Sequence, residues 1–364
     1  VTITTRKAAL GGLAAVGITA ILAGCGAAPE TTTGGAGGEA TSDLVSCMVS
    51  DSGGFDDKSF NQLGFEGLTK AATDLGLETP TTVESAAETD FGPNLTNLAD
   101  QGCGLIVTVG FLLADATKEA AEANPDIEYA IIDDASIDAP NVKPITFNTS
   151  EAAFLAGYSA AAYSKTGTVG TFGGLQIPTV TIFMDGFVDG VAYYNEQKGK
   201  DVKAIGWDVA SQSGSFTGEF VANQTAKTAA QTLIDQGADV IMPVGGPIFL
   251  SAGEAIRDSS DKQVVMVGVD SDAYETAPDL KDLFLTSVLK GIDSGVEDVV
   301  KTAADDQFDA TPYVGTLANG GVDIASFHDY ESEVPSDLSG ELDAIKAGIV
   351  DGSITVESPS SLTK

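Results

Sequence analysis

Short apolar runs alternate with stretches whose apolar residues recur every three or four positions, beginning near residue 43. Strands are expected over 44–49, 81–84, 105–109, 129–133, 168–172, 202–207, 240–244 and 264–269. The segments 60–75, 114–123, 151–164, 180–197, 217–236 and 249–258 carry helical spacing. Runs such as LIVTV and VIMPV are continuously apolar rather than alternating, as parallel strands are when helices cover both faces. The rhythm therefore predicts a doubly wound α/β architecture.

The strand–helix cycle runs twice, over 43–147 and 165–270, so two parallel-sheet lobes are expected. A third block adds a strand at 285–288, a helix at 291–304 and a last helix near 336–350. The lobes are assigned as 43–148 with 271–313, and 149–270 with 314–350, leaving a tail at 351–364. Crossovers are placed near 147–149, 268–271 and 313–317, where they would form a hinge. Ligands of open α/β sheets bind beyond the carboxyl ends of the strands, so one cleft between the lobes is predicted.

The first 42 residues follow a different pattern. Arg6 and Lys7 precede the uncharged run AALGGLAAVGITAIL over 8–22, shorter than the roughly 20 apolar residues of a membrane span but suited to a signal peptide. It ends in Leu22-Ala23-Gly24-Cys25, which resembles the lipobox of bacterial lipoproteins, with Cys25 the lipidated residue. Residues 26–42 are dominated by Gly, Ala and Thr and read as a flexible tether. These features imply a body anchored by lipid to the extracytoplasmic face of a cell membrane.

Acidic residues outnumber basic ones 53 to 18, a formal charge of −35, which argues against nucleic acid as a partner. With three cysteines and no Cys/His cluster, neither a disulfide scaffold nor a zinc site is indicated, and no metal or other cofactor is expected. Cys47 and Cys103 lie at or just before two apolar runs. If those strands are neighbours, the thiols meet in a disulfide; the alternative is two free buried thiols.

The segment from Asp51 to Asn61, DSGGFDDKSFN, concentrates three carboxylates, an amide and two phenylalanines where the first strand gives way to the first helix. Asp57 or Ser59 can cap that helix. The surplus of acceptors and rings over what a cap needs points to a hydroxyl-bearing, planar ligand. Residues 46–69, SCMVSDSGGFDDKSFNQLGFEGLT, resemble the start of the basic membrane protein family of substrate-binding lipoproteins, which are similar to type I periplasmic binding proteins. The likeness continues in order through FMDGFVDGV, GSFTGEF, QGADVIMPVGG, VGVDSD and LTSVLKGID.

The resemblance implies a monomeric lipoprotein that captures a purine nucleoside and passes it to an ABC permease by hinge closure, without catalysis. It places Asp57 and Asn61 on the base, Phe65 against its ring, Asp270 on the ribose hydroxyls, and Lys290 on the ligand or beside that carboxylate. Phe187 or Phe216 supplies the opposing ring. Ala273 stands where the family often has Gln.

Other classes fare worse. The opening of nucleoside hydrolases, Asp-x-Asp-x-x-x-Asp-Asp, aligns its last two acids with Asp56 and Asp57. That puts Ser50 and Ser52 at the first two calcium positions, a serious loss of ligands. A sugar-binding or sensing lipoprotein of the same architecture remains the alternative. His328, the sole histidine, stands far from any nucleophile elbow, which leaves no catalytic residue to name. The glycines at 173–174 and 245–246 read as tight strand-to-helix turns, the latter pair a candidate for lining the cleft.

Overall fold

The computed structural model describes residues 42–362. The signal segment, Cys25 and residues 26–41 of the tether lie outside the described residues. The chain opens with β1 (Ser46–Ser50), α1 (Phe60–Leu75), β2 (Thr81–Glu84), α2 (Phe91–Asp100), β3 (Leu105–Val109), α3 (Ala114–Ala123), β4 (Glu128–Ile132) and β5 (Val142–Phe147). It continues with α4 (Thr149–Tyr163), β6 (Thr168–Gly173), α5 (Pro178–Lys198), β7 (Lys203–Ile205), β8 (Trp207–Asp208), β9 (Ser213–Gly214), α6 (Gln224–Asp235), β10 (Val240–Val244), α7 (Ile248–Asp258) and β11 (Val265–Asp270). Last come α8 (Ala273–Thr276), β12 (Phe284–Lys290), α9 (Ile292–Ala304), β13 (Tyr313–Gly315), β14 (Val322–Ile324) and α10 (Leu338–Val350).

Two six-stranded sheets result, in the orders β13-β5-β4-β3-β1-β2 and β14-β12-β11-β10-β6-β7. Every pairing in them is parallel except β12 with β14. Strand alternation sorts the core, since neighbouring residues face opposite sides. Met48, Leu105, Val107 and Val109 share a layer with Leu68 of α1 and Val296 of α9. Cys47, Val49 and Ile106 turn to the other side, with Leu95 and Leu98 of α2. In the second sheet Met242, Val244 and Val267 lie with Phe154 and Phe187 of α4 and α5. Phe172, Ile241 and Met266 lie with Leu233 and Phe249 of α6 and α7. Helices on both faces explain why these strands read as unbroken apolar runs.

Cys47 on β1 is bonded to Cys103, just ahead of β3, with their Cα atoms 5.9 Å apart. The parallel pairing of β1 with β3 brings the two together and resolves the alternative in favour of the disulfide.

Four expectations need correcting. The strand at 284–290 pairs with β11 in the second sheet, so segment 271–313 does not travel as one piece with the first. The crossover expected near 268–271 falls instead between β12 and α9, because β11 continues into α8 and back along its own sheet. The helix expected from 217 starts at Gln224, since residues 215–218 are stitched to the end of β6 (Gly173 N to Ser215 O 3.0 Å, Gly218 N to Gly174 O 2.9 Å). The strand expected over 202–207 breaks at Gly206 into β7 and the separate hairpin β8–β9.

The crossovers are bound to one another. Asn148 N donates to Gly315 O and Gly291 N to Gly321 O, each at 2.8 Å. Residues 351–362 do not trail away: Ser358 Oγ donates to buried Asp185 at 2.6 Å, and Ser360 meets Thr181 at 2.7 Å.

Candidate functional site

A cavity of about 540 Å³, its open mouth included, lies at the carboxyl ends of the strands of both sheets. From the first sheet and its loops come Asp51, Ser52, Asp57, Phe60, Asn61, Gly110, Phe111 and Asp133. From the second come Ile177, Thr179, Val180, Phe183, Phe220, the turn 244–247, Asp270 and Lys290.

The β1–α1 loop builds its polar end. Asp57 caps α1: Oδ1 accepts from the backbone N–H of Ser59 (2.9 Å) and Gln62 (3.1 Å), and Oδ2 from that of Asn61 (2.9 Å). An ionised carboxylate has about four acceptor positions, so the cap leaves room for one more donor. Burial pushes Asp57 above the usual carboxylate range against the pull of those N–H groups. Asn61 Nδ2 donates to Ser52 O at 3.0 Å, while its buried Oδ1 accepts from no protein group. Such an acceptor is costly unless a ligand supplies the donor. Asp51 is held well above its ordinary range, chiefly by burial and further by the nearby carboxylates Asp57 and Asp133, against a side-chain bond from Asn61. Its Oδ2 occupies the space a side chain at residue 110 would need: a Cβ there would stand 1.9 Å away, which demands Gly110 at φ +116°.

The strand ends supply the charged centre. Asp133 directly follows β4 and Asp270 is the last residue of β11, and both have φ +67°. Such a left-handed backbone is unusual for a residue with a side chain and recurs at functional sites. Lys290, at the end of β12, reaches Asp133 at 2.6 Å and Asp270 at 3.9 Å, with its side chain 2% exposed. Its ammonium also lies 4.8, 5.0 and 5.7 Å from the ring centres of Phe60, Phe147 and Phe183. Ser59 Oγ donates to Asp270 at 2.9 Å, tying the first helix start to the second sheet. Burial raises Asp270 to about 6 despite the neighbouring ammonium, with Asp133 adding to the rise. Asp133 also is raised by burial, against Lys290.

The apolar walls come from α5 and the loop before α6. Ile177, Val180 and Phe183 are spaced to share one helix face. The Phe220 ring lies on backbone: a Cβ at Gly174 would sit 2.3 Å from it and one at Gly245 2.7 Å.

Of the predicted site residues, Asp57, Asn61, Asp270 and Lys290 meet in this cavity. The three predicted rings do not line it. Phe65 packs on Phe55 at 5.4 Å and borders a surface groove with Lys70 and Glu297. Phe187 is fully buried, against the α4 backbone at Gly157. Phe216 meets Trp207 edge-on at 5.7 Å. The rings at the cavity are Phe60, Phe111, Phe183 and Phe220. Sequence reasoning had also passed over Asp51 as a lining group and Asp133, which the repeated strand-end acid (IIDD, GVDSD) signals.

Asp56 is 87% exposed and faces Lys58, so the acids of the loop do not converge as a calcium site would require. Among the described residues no cluster of three or more His, Cys, Asp or Glu is arranged to hold a metal, and no helix is long and apolar enough to cross a membrane. His328 lies outside the cavity, stacked on Tyr274 at 4.0 Å and 2.8 Å from Asp272.

The sequence model of a family described as ABC transporter substrate-binding protein PnrA-like (Bmp) matches residues 44–351. The ABC transporter nucleoside-binding protein BmpA of Lactococcus lactis is 31% identical over 355 residues, 93% of this chain and 95% of that protein. Basic membrane protein A1 of Borrelia garinii is 30% identical, covering 84% of this chain and 86% of its own. A solved ABC transporter solute-binding protein from Aeropyrum pernix superposes with a TM-score of 0.77 at 24% identity, over 87% of this chain and 94% of that one. At that identity the likeness speaks for the fold alone.

Proposed function

The chain belongs to the PnrA-like (Bmp) family of ABC transporter substrate-binding proteins, and from that premise we propose that it captures a purine nucleoside in the cavity described above. The observation that carries the reading is the donor hunger of the site. Asn61 Oδ1 is buried without a partner, and Asp51, Asp133 and Asp270 converge on a cavity whose one cation, Lys290, is already shared between two of them. A fitting ligand is uncharged, rich in O–H and N–H donors, and planar enough to lie among Phe60, Phe111, Phe183 and Phe220. A nucleoside meets all three demands: ribose hydroxyls for the strand-end acids, a base N–H for Asn61, and a ring for the phenylalanines.

The mechanism we propose is capture without chemistry. The two lobes close about the three crossovers, and a ligand touching both favours the closed state that a permease recognises. Ser59 to Asp270 and Lys290 to Asp133 are contacts between the sheets that closure completes. Cys25 would carry the lipid that holds this monomeric body at the extracytoplasmic face. That placement rests on the sequence.

Calorimetry of the full chain, purified in detergent, against adenosine, guanosine, inosine, uridine and ribose tests the ligand. The expected result is tight binding of a purine nucleoside, weakened at least a hundredfold by Asp270→Ala, with the nucleoside recovered intact. Binding of ribose alone would replace the nucleoside with a sugar. Recovery of free base would replace capture with hydrolysis.

A further inference from the structure

On the other side of Ser52 and Phe220 the cavity is bordered by a second groove of about 580 Å³, its open side included. The two spaces share Ser52 and Phe220 as walls. Leu112 enters the groove from the first sheet's side and Leu175 from the second's, both half-buried, while the exposed carboxylates Glu88 and Glu219 stand among its lining residues. Among the described residues no Lys or Arg lines it. Apolar side chains brought from two lobes to one open space are surface that a bound apolar group would cover favourably. The acids disfavour a phosphate or carboxylate there.

Which end of a ligand reaches this groove follows from the shared wall. Ser52 O accepts from Asn61 Nδ2, so the shared wall lies on the side of the amide. Asp133, Asp270 and Lys290 do not border the groove. Asn61 Oδ1 needs one N–H, and an exocyclic amine has two: one can satisfy Oδ1 while the other position carries a substituent outward past Phe220.

Resting on the nucleoside reading, we propose that this groove is an outer subsite for an apolar substituent on the exocyclic nitrogen of a purine nucleoside. The ligand class then extends to N-substituted nucleosides that keep one N–H, and Leu112 and Leu175 set the tolerance.

The test titrates the full chain, in detergent, with adenosine and with N6-benzyladenosine, then repeats both with Leu112→Asp and with Leu175→Asp. The benzyl derivative is expected to bind at least as tightly as adenosine. Each variant should weaken it tenfold or more while leaving adenosine within twofold; two half-buried positions guard against one variant failing to fold. Adenosine binding with N6-benzyladenosine a hundredfold weaker would overturn the subsite and leave the nucleoside reading intact. Equal losses for both ligands in both variants would also overturn it. If no nucleoside binds, the function reading falls and takes the subsite with it.

Discussion

The two sides of the cavity are built from opposite materials. The β1–α1 loop and the first turn of α1 bring Asp51, Ser52, Asp57 and Asn61, a polar set locked by helix capping and by contacts as close as Gly110 against Asp51. The α5 side brings Ile177, Val180, Phe183 and Phe220, with the glycines at 245–246 as a backbone floor. The two mix where Phe60 and Phe111 add rings to the first side, and at the strand ends, where Lys290 of the second sheet lies between Asp133 of the first and Asp270 of its own. Polar groups must be aimed to be useful, so they sit where a capped helix and strained strand ends fix them. An apolar wall needs only shape, so a helix face and a loop ring suffice.

The sharpest way to break this contrast is to remove the group that joins the two sides. Lys290→Met keeps a long side chain among Phe60, Phe147 and Phe183 but leaves two buried acids without their cation. Breaking one partner out of a buried ion pair typically costs about 3–5 kcal/mol. Urea unfolding at neutral pH should show a loss of that size, and calorimetry a fall in nucleoside affinity of at least a hundredfold. A variant as stable as the parent would mean that the acids are already neutral in the native protein and that the mixed centre is not electrostatically coupled.

The apolar side can be tested by exchanging the expected ring for the observed one. Base–aromatic stacking is worth roughly 1–3 kcal/mol per base, so Phe220→Ala should weaken nucleoside binding about 10- to 100-fold. Phe65→Ala, in contrast, should leave affinity within about twofold and cost only some stability through its lost packing on Phe55. Reversal of the two would return the stacking role to the ring at the surface groove and would empty the comparison of content.

That exchange also shows what a sequence can disclose. The polar side was legible through the resemblance, whose ordered motifs fall at strand ends and at the first helix start: it put Asp57, Asn61, Asp270 and Lys290 on the ligand, and all four reach the cavity. The apolar side was legible only to the segment. Phe187 and Phe183 are one turn apart on α5, Phe216 and Phe220 are four residues apart in one loop, and Phe65 follows Phe60 on α1. In each case the right element was named and the ring nearer or farther along it lines the cavity. Depth along an element is set by how far its end projects into the cleft, which neither periodicity nor motif order encodes. The short edge strands β13 and β14 escaped for a related reason: three residues carry too little pattern to register. Most of the other parallel strands and helices registered because burial on both faces, or on one stripe, writes itself over many positions, but β5 (Val142–Phe147) and α2 (Phe91–Asp100) were missed as well.

The smallest expected effect concerns the pH dependence of the unliganded protein, and it separates the polar side from the surface charge. Asp270 is raised to about 6 by burial, above its value of about 3.9 in an unfolded chain. Between those values the native protein holds a proton that the unfolded chain has released. Stability therefore falls as pH rises through this window, and the cost is complete above about 7. Asp51, Asp57 and Asp133 are raised in the same direction. The melting midpoint should accordingly rise by several degrees between pH 7.5 and 5.5. Relief of the −35 net charge would act the same way, so the informative comparison is with Asp270→Asn, which leaves nearly all of that charge in place. The variant should show a smaller rise. Saturating nucleoside should also shrink it, because ligand hydroxyls donate to ionised carboxylates and favour the charged form. An identical pH slope in parent and variant would assign the effect to the surface, and the acids of the cavity would then have to be as well solvated as exposed ones, which their burial contradicts.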